Sequence, residues 1–476
     1  MEKVFISQSH QSRLILVFLG WGMDASPFVN LRKNGFDVLV VYDYTGMDDA
    51  AARDNAFALL VREAERYEEV VVVAWSFGVR IAADFLTGCR MHLPVTRAIA
   101  INGTTSHVHD TKGIPQAIFN GTLEHLSEAS VRKFNSRMFA SAASFADYMT
   151  HAPARSFDSL KSELATFARI SPSDNCGMFN LAIAGEADAI FPVRNQLAAW
   201  AGVQTETMPG APHFIDLHSI LDNFIVDKHM VAERFKRAAD TYSDHAGPQL
   251  EVARRLWELA VPHVNKALGT SSRTVAPRLL EIGSGCGFLT RLYLPSLPSD
   301  TQVELWDLTT PPSWLSVKAA TFRQCDAETE ICATAPGSYN CVLSASTIQW
   351  FNSPADFLPR MARAMAPGAI AAIAVYGPAT YREISALTGR GLRYLSMEQL
   401  CDAAGKSGLE IIAANSETTL QTFTDASAML RHMKLTGVNG NSSSTALAMK
   451  IMRALPAGQP AGLTYNPIYL ILKKHD

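Results

Sequence analysis

Cysteine is sparse: seven residues in a chain of 476, at positions 89, 176, 286, 325, 332, 341 and 401. No two form a C-x-x-C pair, none has metal-ligand spacing, and an odd number cannot all pair within one chain. This excludes a disulfide scaffold and a zinc module. Reduced, buried thiols in a cytoplasmic protein are the expectation, and no metal. An excess of one charge is also lacking. Lys plus Arg total 42 and Asp plus Glu 45, a net charge of −3. No nucleic-acid or membrane-surface role is expected from that balance. Long apolar runs are missing too. The longest, such as Glu69–Trp75 and Ala369–Tyr376, are strand-length and far short of the ~20 residues of a membrane span. The first residues, MEKVFISQSHQSR, lack a basic stretch followed by a long apolar one, so no signal peptide is expected.

What is present is apolar. Hydrophobic residues make up 48% and charged residues 18%, which excludes disorder for most of the chain. At ~100–200 residues per domain, the length allows two to four domains. Two series of short apolar runs alternate with helical patterns, the signature of parallel α/β sheets. The first series predicts strands at Leu14–Leu19, Val38–Tyr42, Glu69–Trp75, Arg97–Ile101 and Phe179–Ala184. A polar helical stretch, Leu123–Arg169, interrupts it, and such insertions often cover an active site. The second series opens with helices at Val231–Tyr242 and Gln249–Leu268. Strands follow at Arg278–Ile282, Val303–Leu308, Thr321–Cys325, Asn340–Ser344 and Ala369–Tyr376, with late ones near Leu409–Ala413 and Ile468–Lys473. Gly437–Ser444 reads as a loop. The expected boundary lies near Val226–Met230, giving domains 1–227 and 228–476 with a helical cap at about 120–172.

In the first half, Val71–Gly78 is a strand running into a helix with Ser76 at the turn. A nucleophile elbow needs small residues beside the Ser so that strand and helix approach closely, and Ala74 and Gly78 supply them. A plain Ser N-cap is the competing reading. Three other segments favour the elbow. The loop Gly20-Trp21-Gly22 follows the first strong strand, where an α/β-hydrolase fold places half of its oxyanion hole. The N–H groups of Trp21 and Phe77 would then face the oxyanion. Asp188 follows a strand and precedes Pro192, and His213 lies in the loop Pro209–Phe214. The order Ser, Asp, His is the one this fold requires. Asp110, after the strand Arg97–Ile101, is the alternative acid.

These residues carry a resemblance. The segments Leu16–Trp21, Tyr42-Asp43-Tyr44, Ala74–Gly78, Ala100–Thr104 and Gly113-Ile114-Pro115 look like the BioG type of pimeloyl-[acyl-carrier protein] methyl ester esterase, over roughly residues 1–225. The resemblance implies hydrolysis of a methyl ester at the far end of an acyl chain held on a carrier protein. It also implies that basic cap residues, here Arg132, Lys133, Arg137 and Arg155, meet that acidic carrier. A solvated helix face is the alternative for each.

In the second half, Leu279–Gly287 is a strand ending in Gly283-x-Gly285-x-Gly287. Such a loop lets a ligand approach the backbone. NAD-binding loops have the third Gly one residue later. With Glu281 two residues before the first Gly, the pattern is that of class I S-adenosylmethionine methyltransferases. Asp307, ending the next strand, is placed to accept from ribose hydroxyls, and Asp326, after the third, to meet adenine. Phe235–Tyr242, Ile348-Gln349-Trp350 and Leu430–Gly437 are similar to BioC, the malonyl-[acyl-carrier protein] O-methyltransferase, over roughly 230–476. This implies methyl transfer from S-adenosylmethionine to a free carboxylate, with Tyr242 the candidate for orienting either partner. An arginine partner for the carboxylate is unassigned. Cys286 reads as a small loop residue, not a nucleophile.

The expected fold class is therefore α/β in two domains. The first is an α/β-hydrolase fold with a helical cap, and the second a class I (Rossmann-like) methyltransferase fold. Together the resemblances imply a bifunctional enzyme of biotin-precursor synthesis that acts on acyl-carrier protein thioesters. The alternative is a carboxylesterase fused to a small-metabolite O-methyltransferase.

Overall fold

The structure is a computed structural model. It describes residues 1–89, 92–269, 275–310, 320–389, 391–438, 445–455 and 458–475. The chain divides into two compact units, Met1–Leu221 and Asp222–Asp476.

The first unit holds a seven-stranded sheet of β1 (Glu2–Ser7), β2 (Arg13–Phe18), β3 (Asp37–Tyr42), β4 (Glu69–Trp75), β5 (Val95–Ile101), β6 (Leu181–Gly185) and β7 (Gln204–Met208). Their spatial order is β1-β3-β2-β4-β5-β6-β7. All neighbours are parallel except β1, which runs antiparallel to β3. Residues Leu14–Phe18 and Val70–Ala74 are fully buried. Strands covered on both faces need such continuous apolar runs. The edge strand β1 was not expected from the sequence, because its short alternating run, EKVFIS, is only half buried. Four helices, Gln116–Glu124, Glu128–Arg137, Ala142–Met149 and Phe157–Arg169, lie between β5 and β6. Ser127, Ser141 and Ser156 cap the last three by accepting backbone N–H groups. These serines break the polar stretch into separate short helices.

The second unit begins with helices Lys228–His245 and Gly247–Leu268. Its main sheet contains β8 (Arg278–Ile282), β9 (Gln302–Asp307), β10 (Ala320–Gln324), β11 (Tyr339–Ala345), β12 (Met365–Tyr376), β13 (Leu409–Ser416) and β16 (Pro467–Lys474). A separate antiparallel pair is formed by β14 (Thr419–Phe423) and β15 (Ala461–Tyr465). The main order is β10-β9-β8-β11-β12-β16-β13. The first five strands are parallel, and β16 is antiparallel to both its neighbours. The strand order reverses beside β8. Ligands of doubly wound sheets bind at that switch point, outside the carboxyl ends of the strands. The β14–β15 pair was not expected, and its half-exposed Thr419–Phe423 lacks an apolar run. Within the Gly437–Ser444 loop, residues 439–444 lie outside the described residues.

Two expectations are corrected or bounded here. The described thiols are free, but only Cys341 is buried, and Cys332 is exposed. Cys176, Cys286, Cys325 and Cys401 are partly exposed, and Cys325 and Cys401 pack against the edge of a core cluster. No described helix is long and apolar enough to cross a membrane.

Candidate active sites

In the first unit, β4 ends at Trp75 and the backbone turns sharply at Ser76, which has φ +58°. Such a conformation costs a non-glycine residue about 1–3 kcal/mol and persists only where its surroundings enforce it. Two glycines do so here. A Cβ at Gly78 would lie 2.4 Å from the Phe18 carbonyl oxygen, and one at Gly103 would lie 2.2 Å from that of Ser76.

His213 Nε2 is 3.0 Å from Ser76 Oγ, and its Nδ1 is 2.9 Å from Asp188 Oδ2. The imidazole is fully buried. The Asp188 carboxylate is held from several sides. Oδ1 accepts the N–H groups of Ile190 and Phe191 at 2.7 and 2.9 Å, and Oδ2 accepts Gln196 Nε2 at 3.1 Å. The His213 ring stacks on Phe191 at 6.0 Å and 8°. Asp110 is elsewhere: it is exposed and accepts the Gln116 N–H. It is corrected as the alternative acid, because its own helix start claims the carboxylate.

Trp21, Ser76 and Phe77 line a small cavity of about 40 Å³ with Ile118, Phe119 and Phe134 of the helical insertion. Among the described residues, the backbone N–H groups of Trp21 and Phe77 donate to no acceptor. Of the four basic insertion residues, Arg132 and Lys133 are exposed. Arg137 lines the same cavity and donates to the Ala189 carbonyl. Arg155 is corrected. Its side chain is 7% exposed and paired with Glu163 at 2.6 Å and Asp43 at 2.8 Å, so it faces inward.

In the second unit, Gly283, Gly285 and Gly287 follow β8 with φ of +75°, +49° and +77°. A Cβ at Gly283 would lie 1.9 Å from Thr347 Oγ1. Glycine is therefore required there both by conformation and by close approach. Asp307 Oδ2 accepts the Gly285 N–H at 2.8 Å, and Oδ1 accepts the Thr309 N–H and hydroxyl at 2.8 and 2.7 Å. Glu281 is buried beneath the loop and accepts the Thr290 and Tyr293 hydroxyls, each at 2.6 Å. Burial pushes its carboxyl up to about 7, against those two hydrogen bonds. Asp326 Oδ1 accepts the Glu328 N–H at 3.0 Å, and both its oxygens bind Lys228 Nζ. Glu281, Gly283, Gly285, Asp307, Asp326 and Lys228 line a cavity of about 380 Å³ together with Phe235, Tyr242 and Trp350, whereas Gly287 caps the helix Phe288–Tyr293 and is not part of that lining. Burial raises the Tyr242 phenol pKa, so the hydroxyl stays protonated.

Comparison with known proteins reads the two units separately and together. Residues 1–218 match the family described as pimeloyl-ACP methyl esterase BioG, and residues 280–373 match a methyltransferase domain family. A malonyl-[acyl-carrier protein] O-methyltransferase of Bacteroides fragilis is 33% identical, across 97% of this chain and 92% of its own length. The chain belongs to the malonyl-[acyl-carrier protein] O-methyltransferase family. One of Bacteroides thetaiotaomicron is 30% identical over 52% of this chain and 99% of its own length. The crystal structure of BioG from Haemophilus influenzae is similar to 45% of this chain and 94% of that one, at 32% identity and a TM-score of 0.38. This family member is thus a fusion of a BioG-type domain with a Rossmann-like methyltransferase domain. Its methyl donor is S-adenosylmethionine.

The methyltransferase cavity fits that co-substrate. The size suits a nucleoside-sized ligand. Ser284 Oγ and Gln249 Oε1 border it, buried without hydrogen-bond partners among the described residues. The glycine loop leaves backbone open to approach. Among the described residues, no arginine lines the cavity. None groups three or more His, Cys, Asp or Glu side chains to hold a metal ion.

Three residues of this family member escaped the sequence reading. Lys228 reaches Asp326 from the first helix. Gln196 donates to the Asp188 carboxylate from 8 residues away. Asn102 ties the His213 loop to β6. Its Nδ2 donates to the carbonyls of Pro212 and His213, each at 2.9 Å, and its Oδ1 accepts the Gly185 N–H at 2.7 Å. Only Asn102 left a signal, since it stands at a strand end within Ala100–Thr104.

Proposed function

We propose that the chain is a bifunctional enzyme of pimelate synthesis acting on acyl-carrier protein thioesters. The second domain (228–476) methylates the free carboxylate of malonyl-[acyl-carrier protein]. The first (1–227, α/β-hydrolase in fold, cap at about 120–172) hydrolyses pimeloyl-[acyl-carrier protein] methyl ester to the free acid and methanol. One observation carries the esterase reading: the continuous hydrogen-bond line from Ser76 through His213 to Asp188.

In the esterase, His213 Nε2 takes the Ser76 proton as Oγ attacks the ester carbonyl. The Nδ1–H bond to Asp188 fixes the tautomer and stabilises the imidazolium. Asp188 itself accepts from two backbone N–H groups and Gln196, which hold its carboxylate in place against the imidazole. The N–H groups of Trp21 and Phe77 hold the tetrahedral oxyanion. His213 then protonates the departing methoxide as methanol. A water, deprotonated by His213, releases the acid from Ser76. Ile118, Phe119 and Phe134 offer an apolar wall to the acyl chain, and exposed Arg132, Lys133 and Arg137 suit an acidic carrier.

In the methyltransferase, the co-substrate supplies a sulfonium-bound methyl group. Asp307 is set to accept from ribose hydroxyls, Asp326 borders the adenine side, and Gly283, Gly285 and Gly287 let the ligand approach the backbone above Glu281. Tyr242, protonated, orients the acceptor without removing its charge. A carboxylate is already nucleophilic, so alignment and exclusion of water are what these residues supply. Methylation hides a charge that apolar elongation sites would reject, and the esterase restores it later. The second domain therefore acts first. Both co-substrates belong to the cytoplasm, which is where this reading puts the chain.

The test uses the intact chain. Malonyl thioester of carrier protein is incubated with methyl-labelled S-adenosylmethionine, and methyl pimeloyl thioester is supplied separately. Label on malonyl thioester and methanol from the second assay are expected. No transfer to malonyl thioester, with transfer to a small metabolite, would sink the substrate assignment.

A further inference from the structure

The triad leaves unused one fully buried carboxylate of the first unit. Glu163, fully buried, projects from the cap helix Phe157–Arg169. Its Oε1 accepts the Tyr44 N–H at 2.9 Å, and its Oε2 accepts the Gly22 N–H at 3.0 Å and Arg155 Nη1 at 2.6 Å. Arg155 in turn binds Asp43 at 2.8 Å and Ser159 Oγ at 2.7 Å. Asp43 is one of the few described non-glycine residues with positive φ, +54°. Burying a carboxylate this completely is costly unless it is paired and hydrogen-bonded. Burial does raise its pKa, against Arg155 and the two N–H groups.

The backbone partners of Glu163 belong to the loops that follow β2 and β3, and β2 is the neighbour of the nucleophile's strand. Gly22 follows Trp21, whose own N–H is left without an acceptor. Three residues earlier on the same helix, the Leu160 carbonyl accepts Trp21 Nε1 at 2.9 Å. Three residues later, Thr166 Oγ1 accepts the Gly46 N–H at 3.2 Å. A Cβ at Gly20 would lie 2.9 Å from Ser76 Cβ, so this loop rests on the nucleophile. Trp21 is therefore held by one cap helix through its indole and through the peptide that follows it, while Gly20 before it packs on Ser76.

We propose that Glu163, locked by Arg155, is a positioning residue for the esterase: it aims the Trp21 N–H at the oxyanion, so the cap assembles the oxyanion hole. The inference rests on the esterase reading of Ser76. It also reassigns Arg155 from carrier contact to internal latch. Backbone N–H groups stabilise an oxyanion only when they are preorganised, and a shift of about 1 Å can cost 10²-fold. Glu163→Gln would set an amide NH₂ against a backbone N–H or the guanidinium, loosening the clamp at nearly constant volume.

The test is steady-state hydrolysis of a short p-nitrophenyl ester by the full chain, with fluorophosphonate labelling of Ser76 and binding of a trifluoromethyl ketone. Glu163→Gln is expected to lose about 10- to 100-fold in kcat with KM within about threefold. Ketone affinity should fall in parallel, while methyl transfer by the other domain is unchanged. Trp21→Phe keeps an aromatic side chain and deletes the Nε1 donor to Leu160 along with the pyrrole part of the indole. It should lose kcat in the same direction, and it is decisive if Glu163→Gln does not fold. A folded Glu163→Gln or Trp21→Phe with wild-type kcat and ketone affinity overturns the proposal. A wild type that the fluorophosphonate does not label overturns the esterase reading itself, which separates the two failures.

Discussion

Lys228 Nζ lies 2.8 and 2.6 Å from the two carboxylate oxygens of Asp326, and it also pairs with the buried Glu328. The lysine opens the first helix of the second unit, just after its N-cap Asp227. Glu328 accepts the N–H groups of Asn352 and Ser353 as well. One cation thus ties the start of the unit to a wall of the ligand cavity. Removing one member of such a buried cluster costs about 3–5 kcal/mol, because the remaining charges lose their partner. Lys228→Met is therefore expected to lower the melting temperature of the second unit and weaken S-adenosylmethionine binding about tenfold or more. Calorimetry of both is the check, and unchanged affinity would show that Asp326 needs no such support.

The two candidate sites share no residue. Ser76→Ala is expected to abolish demethylation and leave methyl transfer intact. Asp307→Ala or Gly285→Asp should do the reverse. Both activities are assayed on the same preparation. Loss of both from a single change, in a folded protein, would contradict independent sites.

Gly283→Ala should disable the methyltransferase loop. The new Cβ would meet Thr347 Oγ1 at 1.9 Å, in a backbone with φ +75°. Positive φ alone costs a non-glycine residue about 1–2 kcal/mol. At least a tenfold loss of co-substrate affinity is expected by titration calorimetry, with Ser76 labelling unchanged. Wild-type affinity would mean that the loop can shift.

Glu281 carries a pH prediction. Its folded pKa, raised by burial to about 7, exceeds the ordinary 4.5. The folded state therefore holds a proton that the unfolded state releases between those values. Its contribution is fully present below about pH 4.5 and is lost as pH rises through about 7, a swing on the order of 3 kcal/mol. Glu281→Gln keeps an acceptor for the Thr290 and Tyr293 hydroxyls and cannot ionise. The decline in stability of the second unit from pH 5 to 8 should flatten in this variant, as read from denaturant midpoints. An unchanged slope would remove Glu281 as its source.

Much of this was legible in the chain because it depends on local constraint. Strands buried on both faces need continuous apolar runs, so Val70–Ala74 and Ala369–Tyr376 announced themselves. The turn at Ser76 and the loop at Gly283 demand small residues at fixed offsets, and a short window shows them. The edge strand β1 and the β14–β15 pair escaped because half-exposed strands need no such run. The choice between Asp188 and Asp110 stayed open for a different reason. Both follow strand ends, and only the folded sheet brings one of them to His213.

Arg155 makes the same point with charge. In sequence it resembles Arg132 and Lys133, a cation on a polar helical stretch. In the fold its partners are Glu163, eight residues on, and Asp43, at the end of another strand. Lys228 and Asp326 are likewise 98 residues apart. The sequence by itself determined two α/β units, the sharp turn at Ser76, the glycine loop and the order of the acids, because backbone conformation and burial act on neighbouring residues. Only the tertiary structure decided which charges pair, which acid serves His213, and that a cap helix grips the loop beside Ser76. Those outcomes depend on distances across the fold, where electrostatic and hydrogen-bond energies fall off too steeply for sequence separation to predict them.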